Sequence, residues 1–171
     1  MPIATARSES EADLYRQLAA LGIVFARYEH EAVFTVAESR ELHLELPGVH
    51  SKNLFLRDAA RRHWLLTIPA ELTVNIKLLP AKIGSKRLSF GNADDMWTLL
   101  GVAPGSVTPL AAINDLDARV GVVLDRRIAD AEIVNVHPLR NTSTLALSGP
   151  DLVRALHHWN HPPRVVDIDA A

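Results

Sequence analysis

Three polar stretches of this chain combine residue types able to do chemistry. In Gly48-Val-His-Ser-Lys52-Asn53-Leu-Phe-Leu-Arg57 a lysine and an asparagine immediately precede a hydrophobic run, so an ammonium group emerges at the start of a strand. The plain structural alternative is a charge that guards the strand against unwanted pairing. In Gly101-Val-Ala-Pro-Gly105-Ser-Val-Thr-Pro109 the glycines permit close backbone approach while the prolines stiffen the chain. Such a loop offers N–H groups to an anion, and is equally an ordinary turn. His137-Pro-Leu-Arg-Asn141-Thr-Ser-Thr144 lies between two predicted strands, as expected of a loop that places donors at a pocket rim.

Other chemistries are excluded or unsupported. The chain has no cysteine, which removes thiolate nucleophiles, Cys zinc sites, iron–sulfur clusters and redox pairs. His157, His158 and His161 fall on or just past the last predicted helix, without the acidic residue of an H-E-x-x-H site, and read as surface histidines. His43 and His50 are separated by a Pro-Gly turn. Neither a Walker loop nor a dinucleotide fingerprint nor a Gly-x-Ser-x-Gly elbow occurs, so no metal or cofactor is expected. Charge is unevenly placed: residues 52–87 hold eight basic side chains (Lys52, Arg57, Arg61, Arg62, Lys77, Lys82, Lys86, Arg87) and two acidic ones, within a chain of net charge −2. A clustered field of that sign steers a phosphate-bearing partner, although a solvated face explains it too. No apolar run approaches the ~18 residues of a bilayer span, and the N-terminus lacks a signal-peptide core. The expectation is a cytoplasmic protein without membrane contact.

These stretches need elements to position them. A chain of 171 residues buries roughly 70% of the surface its unfolded form exposes, so one core can form unaided. Ser8-Glu-Ser-Glu11 is a capping box ahead of Leu14, Leu18 and Leu21, predicting a helix that stops at Gly22. A strand over Ile23–Tyr28 follows, and Thr35-Val-Ala-Glu38 opens a second helix to about Leu46. Asn53–Arg57 and His63–Ile68 read as a hairpin turned at Asp58–Arg62. Leu72–Ile83 fits a helix that Pro80 ends or kinks, and Asn92–Asp95 begins one that Gly101 terminates. Val107–Ile113, Val120–Leu124, Ile133–Val136 and Thr144–Leu147 read as strands. Ser148-Gly-Pro-Asp151 leads into a last helix through Trp159, before a final strand Val165–Ile168. Without strict βαβ alternation, linker or repeat, the pattern favours an α+β fold: one domain over residues 1–171, a mixed β-sheet flanked by helices.

Lys52-Asn53 with the Leu-Phe-Leu strand behind them, the Gly105-Ser-Val-Thr-Pro109 loop and His137-Pro…Asn141, in this order and with Thr35 opening the helix before the lysine, resemble the prolyl-tRNA editing (YbaK-like) superfamily. The resemblance covers about residues 8–160, and the Lys52-Asn53-Leu-Phe-Leu run points to its free-standing alanyl-tRNA(Pro) deacylases. It implies metal-free hydrolysis of a mischarged aminoacyl ester after release by prolyl-tRNA synthetase, with the aminoacyl-tRNA acceptor end as partner and no role for DNA. On that reading Lys52 and Asn53 are catalytic: the ammonium serves the terminal phosphate or developing oxyanion, and Asn53 with the N–H groups around Ser106 and Val107 holds the carbonyl and a water. Thr35, Val36, Gly105, Ser106, Val107, Pro109, His137 and Asn141 bind the substrate, with Val36 and Val107 as the apolar wall that admits a methyl and excludes a proline ring. Lys77, Lys82, Lys86 and Arg87 form the tRNA track. A cysteinyl or seryl ester, or a non-catalytic tRNA- or synthetase-binding module, are the alternatives.

Overall fold

The computed structural model describes residues 10–32, 40–41 and 45–170. Its elements, in chain order, are α1 (Ser10–Ala20), β1 (Ala26–Glu29), β2 (Val49–Asp58), β3 (His63–Pro69), α2 (Leu79–Ile83), β4 (Leu88–Phe90) and α3 (Ala93–Leu100). A 3-10 helix (Pro109–Asn114), β5 (Val120–Asp125), α4 (Arg126–Ala129), β6 (Val134–Val136), β7 (Ser143–Leu147), α5 (Gly149–His158) and β8 (Arg164–Val166) complete them. The strands form one mixed sheet in the order β1-β7-β6-β2-β3-β5-β8, with β4 alongside β2. β6 is parallel to β2, and β5 is parallel to both β3 and β8, while the remaining pairs are antiparallel.

The β2–β3 hairpin forms because its side chains alternate between two apolar layers. Leu56, Trp64, Leu66 and Ile68 pack on one face with Leu72, Leu79 and Ile83, whereas Phe55 and Leu65 face the opposite side with Met96, Leu99 and Leu100 of α3. Next to the latter, α1 and α5 cover β5, β6 and β7 through Leu14, Leu18, Leu152 and Leu156. Asp58 builds the turn: its Oδ1 accepts from Ala60 N–H and Arg62 N–H at 2.9 Å each, and its Oδ2 from Trp64 Nε1 at 3.1 Å. Gly48, at φ +97°, lets the chain enter β2 against Ile133, whose carbonyl would lie 2.7 Å from any added Cβ.

Several expectations are corrected. The stretch from Leu72 is not one helix. Leu72, Val74 and Ile76 face the core while Thr73, Asn75 and Lys77 are turned outward, a period of two, and the helix is confined to Leu79–Ile83, where Pro80 tolerates only a first turn. Val107–Ile113 is not a strand: Thr108 Oγ1 accepts from Leu110 N–H and Pro109 opens the buried 3-10 helix. Lys52 is the fourth residue of β2, since pairing begins at Val49 rather than Asn53. His161 is no surface histidine; it is buried, with Nε2 2.9 Å from Asp115 Oδ2 and Nδ1 2.7 Å from Trp159 O. The capping residue Ser8 and most of the predicted 35–46 helix, with Thr35 and Val36, lie outside the described residues, although Arg40, Glu41 and Glu45 are helical. No described helix is long and apolar enough to cross a membrane.

Candidate active site

β2 pairs with β3 along one edge from Ser51 to Arg57, but two partners share its other edge. There β6 takes Val49 and His50, and β4 takes Leu56–Asp58. Ser51 Oγ donating to Asn135 O (2.6 Å) and Gly91 N–H donating to Phe55 O (2.9 Å) bound the interval between them. Lys52–Leu54 therefore face a split in the sheet. Because Val49 N–H and Phe55 O both point to this edge, strand alternation turns the N–H and C=O of Asn53 into the split as well.

The side chains of Lys52 and Asn53 leave the strand on opposite faces. Lys52 shares the face of Leu54 and Leu56; it is half-buried, and among the described residues it has no ion-pair partner. Asn53 shares the face of Phe55 and stands opposite Thr67, whose buried hydroxyl donates to Asn53 Oδ1 at 2.6 Å. That bond fixes the amide oxygen and leaves Nδ2 without a partner among the described residues. Sequence reasoning missed Thr67; its signal is the hairpin register, which sets it across from Asn53.

The two loops meet each other beside Phe55. Parallel pairing sets Asn135 beside His50; two residues farther on, Lys52 continues β2 while His137 lies just past the end of β6. His137 is half-buried and its Nδ1 lies 3.2 Å from Ser143 O. A carbonyl only accepts, so Nδ1 carries the proton and Nε2 keeps its lone pair. Burial, with His30 nearby, holds the imidazole below the usual histidine range and hence neutral at pH 7. Asn141 meets the glycine loop: a Cβ on Gly105, which adopts φ +88°, would lie 3.6 Å from Asn141 Nδ2. Val107 and Leu139 both pack on the cluster that contains Phe55, two residues beyond Asn53. Ser106 N–H is spent on Ala103 O (3.0 Å), whereas Val107 N–H has no partner among the described residues. Pro109 is buried at the start of the 3-10 helix and shapes the loop from below.

The basic residues divide. Lys82 Nζ binds Asp167 O and the Asp169 carboxylate, the latter at 2.9 Å, and Lys77 lies on the segment before α2. Lys86 N–H reaches Asp58 Oδ2 (3.4 Å) and Ala59 N–H donates to Arg87 O (2.9 Å), which ties Lys86 and Arg87 to the Arg61-Arg62 turn as one basic end. Asp58 is six residues along β2 from Lys52, about 20 Å. An open cleft of about 510 Å³ is lined by Asp125, Arg126 and Asp167 and by none of the residues of the split; its charges satisfy one another through Arg127–Asp125 and Arg126–Asp167 pairs. No three His, Cys, Asp or Glu side chains among the described residues are grouped to hold a metal ion.

Residues 30–155 match the family model of the aminoacyl-tRNA editing domain. The chain is 38% identical over 133 residues to the prolyl-tRNA editing protein ProX of Acetoanaerobium sticklandii, covering 77% of this chain and 81% of that one. It is 36% identical over 169 residues to prolyl-tRNA synthetase associated domain-containing protein 1 of Bos taurus, covering 96% and 98% respectively. Among solved structures, a candidate trans-editing enzyme for prolyl tRNA synthetase superposes with a TM-score of 0.69 over 100% of this chain and 99% of the other, at 16% identity, a likeness of fold.

Proposed function

We propose that this chain, which belongs to the aminoacyl-tRNA editing domain family, removes alanine from mischarged tRNA(Pro) in trans. It is an aminoacyl-tRNA deacylase, cleaving the ester between an amino acid and the terminal ribose. The observation that supports the location of the chemistry is the split in the sheet, where Lys52, Asn53, His137 and the Gly105–Val107 loop surround unpaired strand backbone.

Water attack on the ester builds negative charge on the carbonyl oxygen. Asn53 Nδ2, fixed by Thr67, and Val107 N–H are the donors placed to receive it, and they need no reorganisation as the charge develops. Lys52 supplies an unpaired ammonium from the other face for the terminal phosphate or the same oxyanion. Neutral His137, with Nε2 free to accept, orients the attacking water or the neighbouring ribose hydroxyl, while Asn141 holds the aminoacyl end against the glycine loop. An aminoacyl ester is already activated, so positioning and electrostatics suffice without a side-chain nucleophile.

Alanine is the substrate that a prolyl synthetase pocket rejects poorly, because missing methylenes are worth only about 1–3 kcal/mol of discrimination. A second, smaller pocket does better, since close contact excludes a ring more strongly than packing favours a methyl. Val107, half-buried at the loop tip, is the described wall of that pocket. The acceptor end enters the split and the stem runs toward Lys86 and Arg87. A stacked four-nucleotide tail, at about 3.4 Å each, spans about 14 Å, within the distance from Lys52 to that basic end. The test is a deacylation panel of alanyl-, cysteinyl-, seryl- and prolyl-tRNA(Pro). Fast release of alanine with prolyl-tRNA spared supports the reading; preference for cysteine or serine, or release of none, overturns it.

A further inference from the structure

Arg140 lies within the His137–Asn141 loop, but its side chain bonds to α1 and β1. Its Nε lies 3.0 Å from both carboxylate oxygens of Glu11, and its terminal nitrogens reach the two oxygens of Glu29 at 2.9 and 2.8 Å. The first of these nitrogens also donates to Thr142 Oγ1 at 2.7 Å. Four of the five guanidinium hydrogens thus have acceptors, drawn from a helix, an edge strand and the loop itself. The carboxylates are held in turn: Tyr15 OH donates to Glu11 Oε1 (2.9 Å), and Arg27 Nε lies 3.6 Å from Glu29 Oε1.

The loop needs such a tether. Leu139 adopts φ +73°, a left-handed conformation that is disfavoured for a residue with a Cβ, so the free chain would leave it. Residues on either side carry the site: His137 through its bond to Ser143 O, and Asn141 through its place beside Gly105. Ser143 is fixed by the same network, its hydroxyl lying 3.2 Å from both Tyr28 O and Glu29 Oε1.

We propose that Arg140 is a positioning residue, a two-carboxylate clamp that holds the 137–143 loop in its strained form and so aims His137 and Asn141 into the split. This rests on the deacylase reading only for its kinetic arm. Lysine cannot replace it, because a single ammonium cannot make two side-on contacts with carboxylates of different elements. The clamp also keeps His137 buried beside His30, whose Nε2 lies 2.8 Å from Thr144 Oγ1.

The experiment compares wild type with Arg140→Ala, Arg140→Lys and the milder Glu29→Gln, reading deacylation of alanyl-tRNA(Pro) and the NMR titration of the His137 ring. Arg140→Ala is expected to lower kcat about tenfold to a hundredfold with KM changed less than about threefold, and to move the His137 midpoint up toward the ordinary histidine range. Arg140→Lys should recover thermal stability but not kcat, and Glu29→Gln should shift both readouts in the same direction by less. A folded Arg140→Ala protein with unchanged kcat and an unmoved His137 midpoint would overturn the clamp, as would full rescue by lysine. If Arg140→Ala does not fold, the Glu29→Gln readouts decide by the same criteria. If wild type hydrolyses no aminoacyl-tRNA, the functional reading fails while the His137 titration still tests the clamp.

Discussion

Thr67→Val separates the orientation of the Asn53 amide from its presence. Valine keeps the shape of threonine at a site with no solvent exposure and removes the hydroxyl that donates to Asn53 Oδ1. The hydrogen bond removed is worth about 1 kcal/mol net, and because half-buried Asn53 can turn its oxygen to water, no polar atom is stranded. The buried methyl offsets about 0.8 kcal/mol of that, so the stability change should stay within about 1 kcal/mol. Catalysis should suffer more. With its oxygen released, the amide presents Nδ2 and Oδ1 to the split in comparable amounts and no longer as one rigid donor. We expect kcat to fall about 5- to 30-fold, equivalent to about 1–2 kcal/mol of transition-state stabilisation. Asn53→Ala, which deletes the donor, should cost about 10²–10³ and also strand the Thr67 hydroxyl in the core. The assay is single-turnover release of labelled alanine from alanyl-tRNA(Pro), with thermal melts as the control. A Thr67→Val protein that melts like wild type and reacts at the wild-type rate would refute the claim that this bond aims the amide.

Three further outcomes are expected. The slope of log affinity for tRNA against log salt should shrink by roughly 0.7–0.9 for each phosphate that Lys86→Ala or Arg87→Ala no longer neutralises, while Lys82→Ala, whose ammonium is already paired with Asp169, leaves it unchanged. Val107→Gly should gain hydrolysis of larger aminoacyl esters while keeping most activity on alanine; parallel loss on all esters, read from the same panel, would mean that Val107 only supports its loop. Acid should destabilise the fold. Burial alone would raise the Asp58, Asp115 and Asp125 carboxyls, but hydrogen bonds from Trp64, His161 and Arg127 respectively, with backbone N–H donors beside them, outweigh it and leave all three below the usual aspartate range. Their stabilisation is complete above the unfolded value of about 3.9 and is lost as pH falls through the folded values, so melting temperatures should be level at about pH 5 and drop below about pH 4, less steeply in Asp58→Asn.

What could be read from the sequence was local. The hairpin around Asp58, the Asn92-capped helix ending at Gly101 and the Ser148-capped helix each carry their own start and stop signals, and all three form. The Leu72–Ile83 region misled because a three-to-four spacing and a two-residue spacing overlap in Leu72, Val74, Ile76 and Leu79, and tertiary contact with the β2–β3 face selects the extended form. Val107–Ile113 has strand-like composition, yet one Thr108 hydroxyl and one proline redirect it. The chemical residues Lys52, Asn53, His137 and Asn141 are visible as types in sequence, but the split that gathers them is not. It arises from β6 and β4 sharing one edge of β2, and those two partners come from separate stretches of the chain. Thr67 and Arg140 were invisible for the same reason: each acts through a partner that only the register or the tertiary fold brings near.

The most direct test of chemistry at the split is the single-turnover rate of alanine release from alanyl-tRNA(Pro) by wild type and by Lys52→Ala. Lys52 is half-buried at the open stretch of β2 and holds no described ion pair, so its removal should leave the fold intact. Hydrolysis by the wild type and a loss of about 10²–10³ in the variant are expected, the effect of deleting one preorganised charge at the reacting ester. A Lys52→Ala protein that folds and releases alanine at near the wild-type rate would place the chemistry somewhere other than the split.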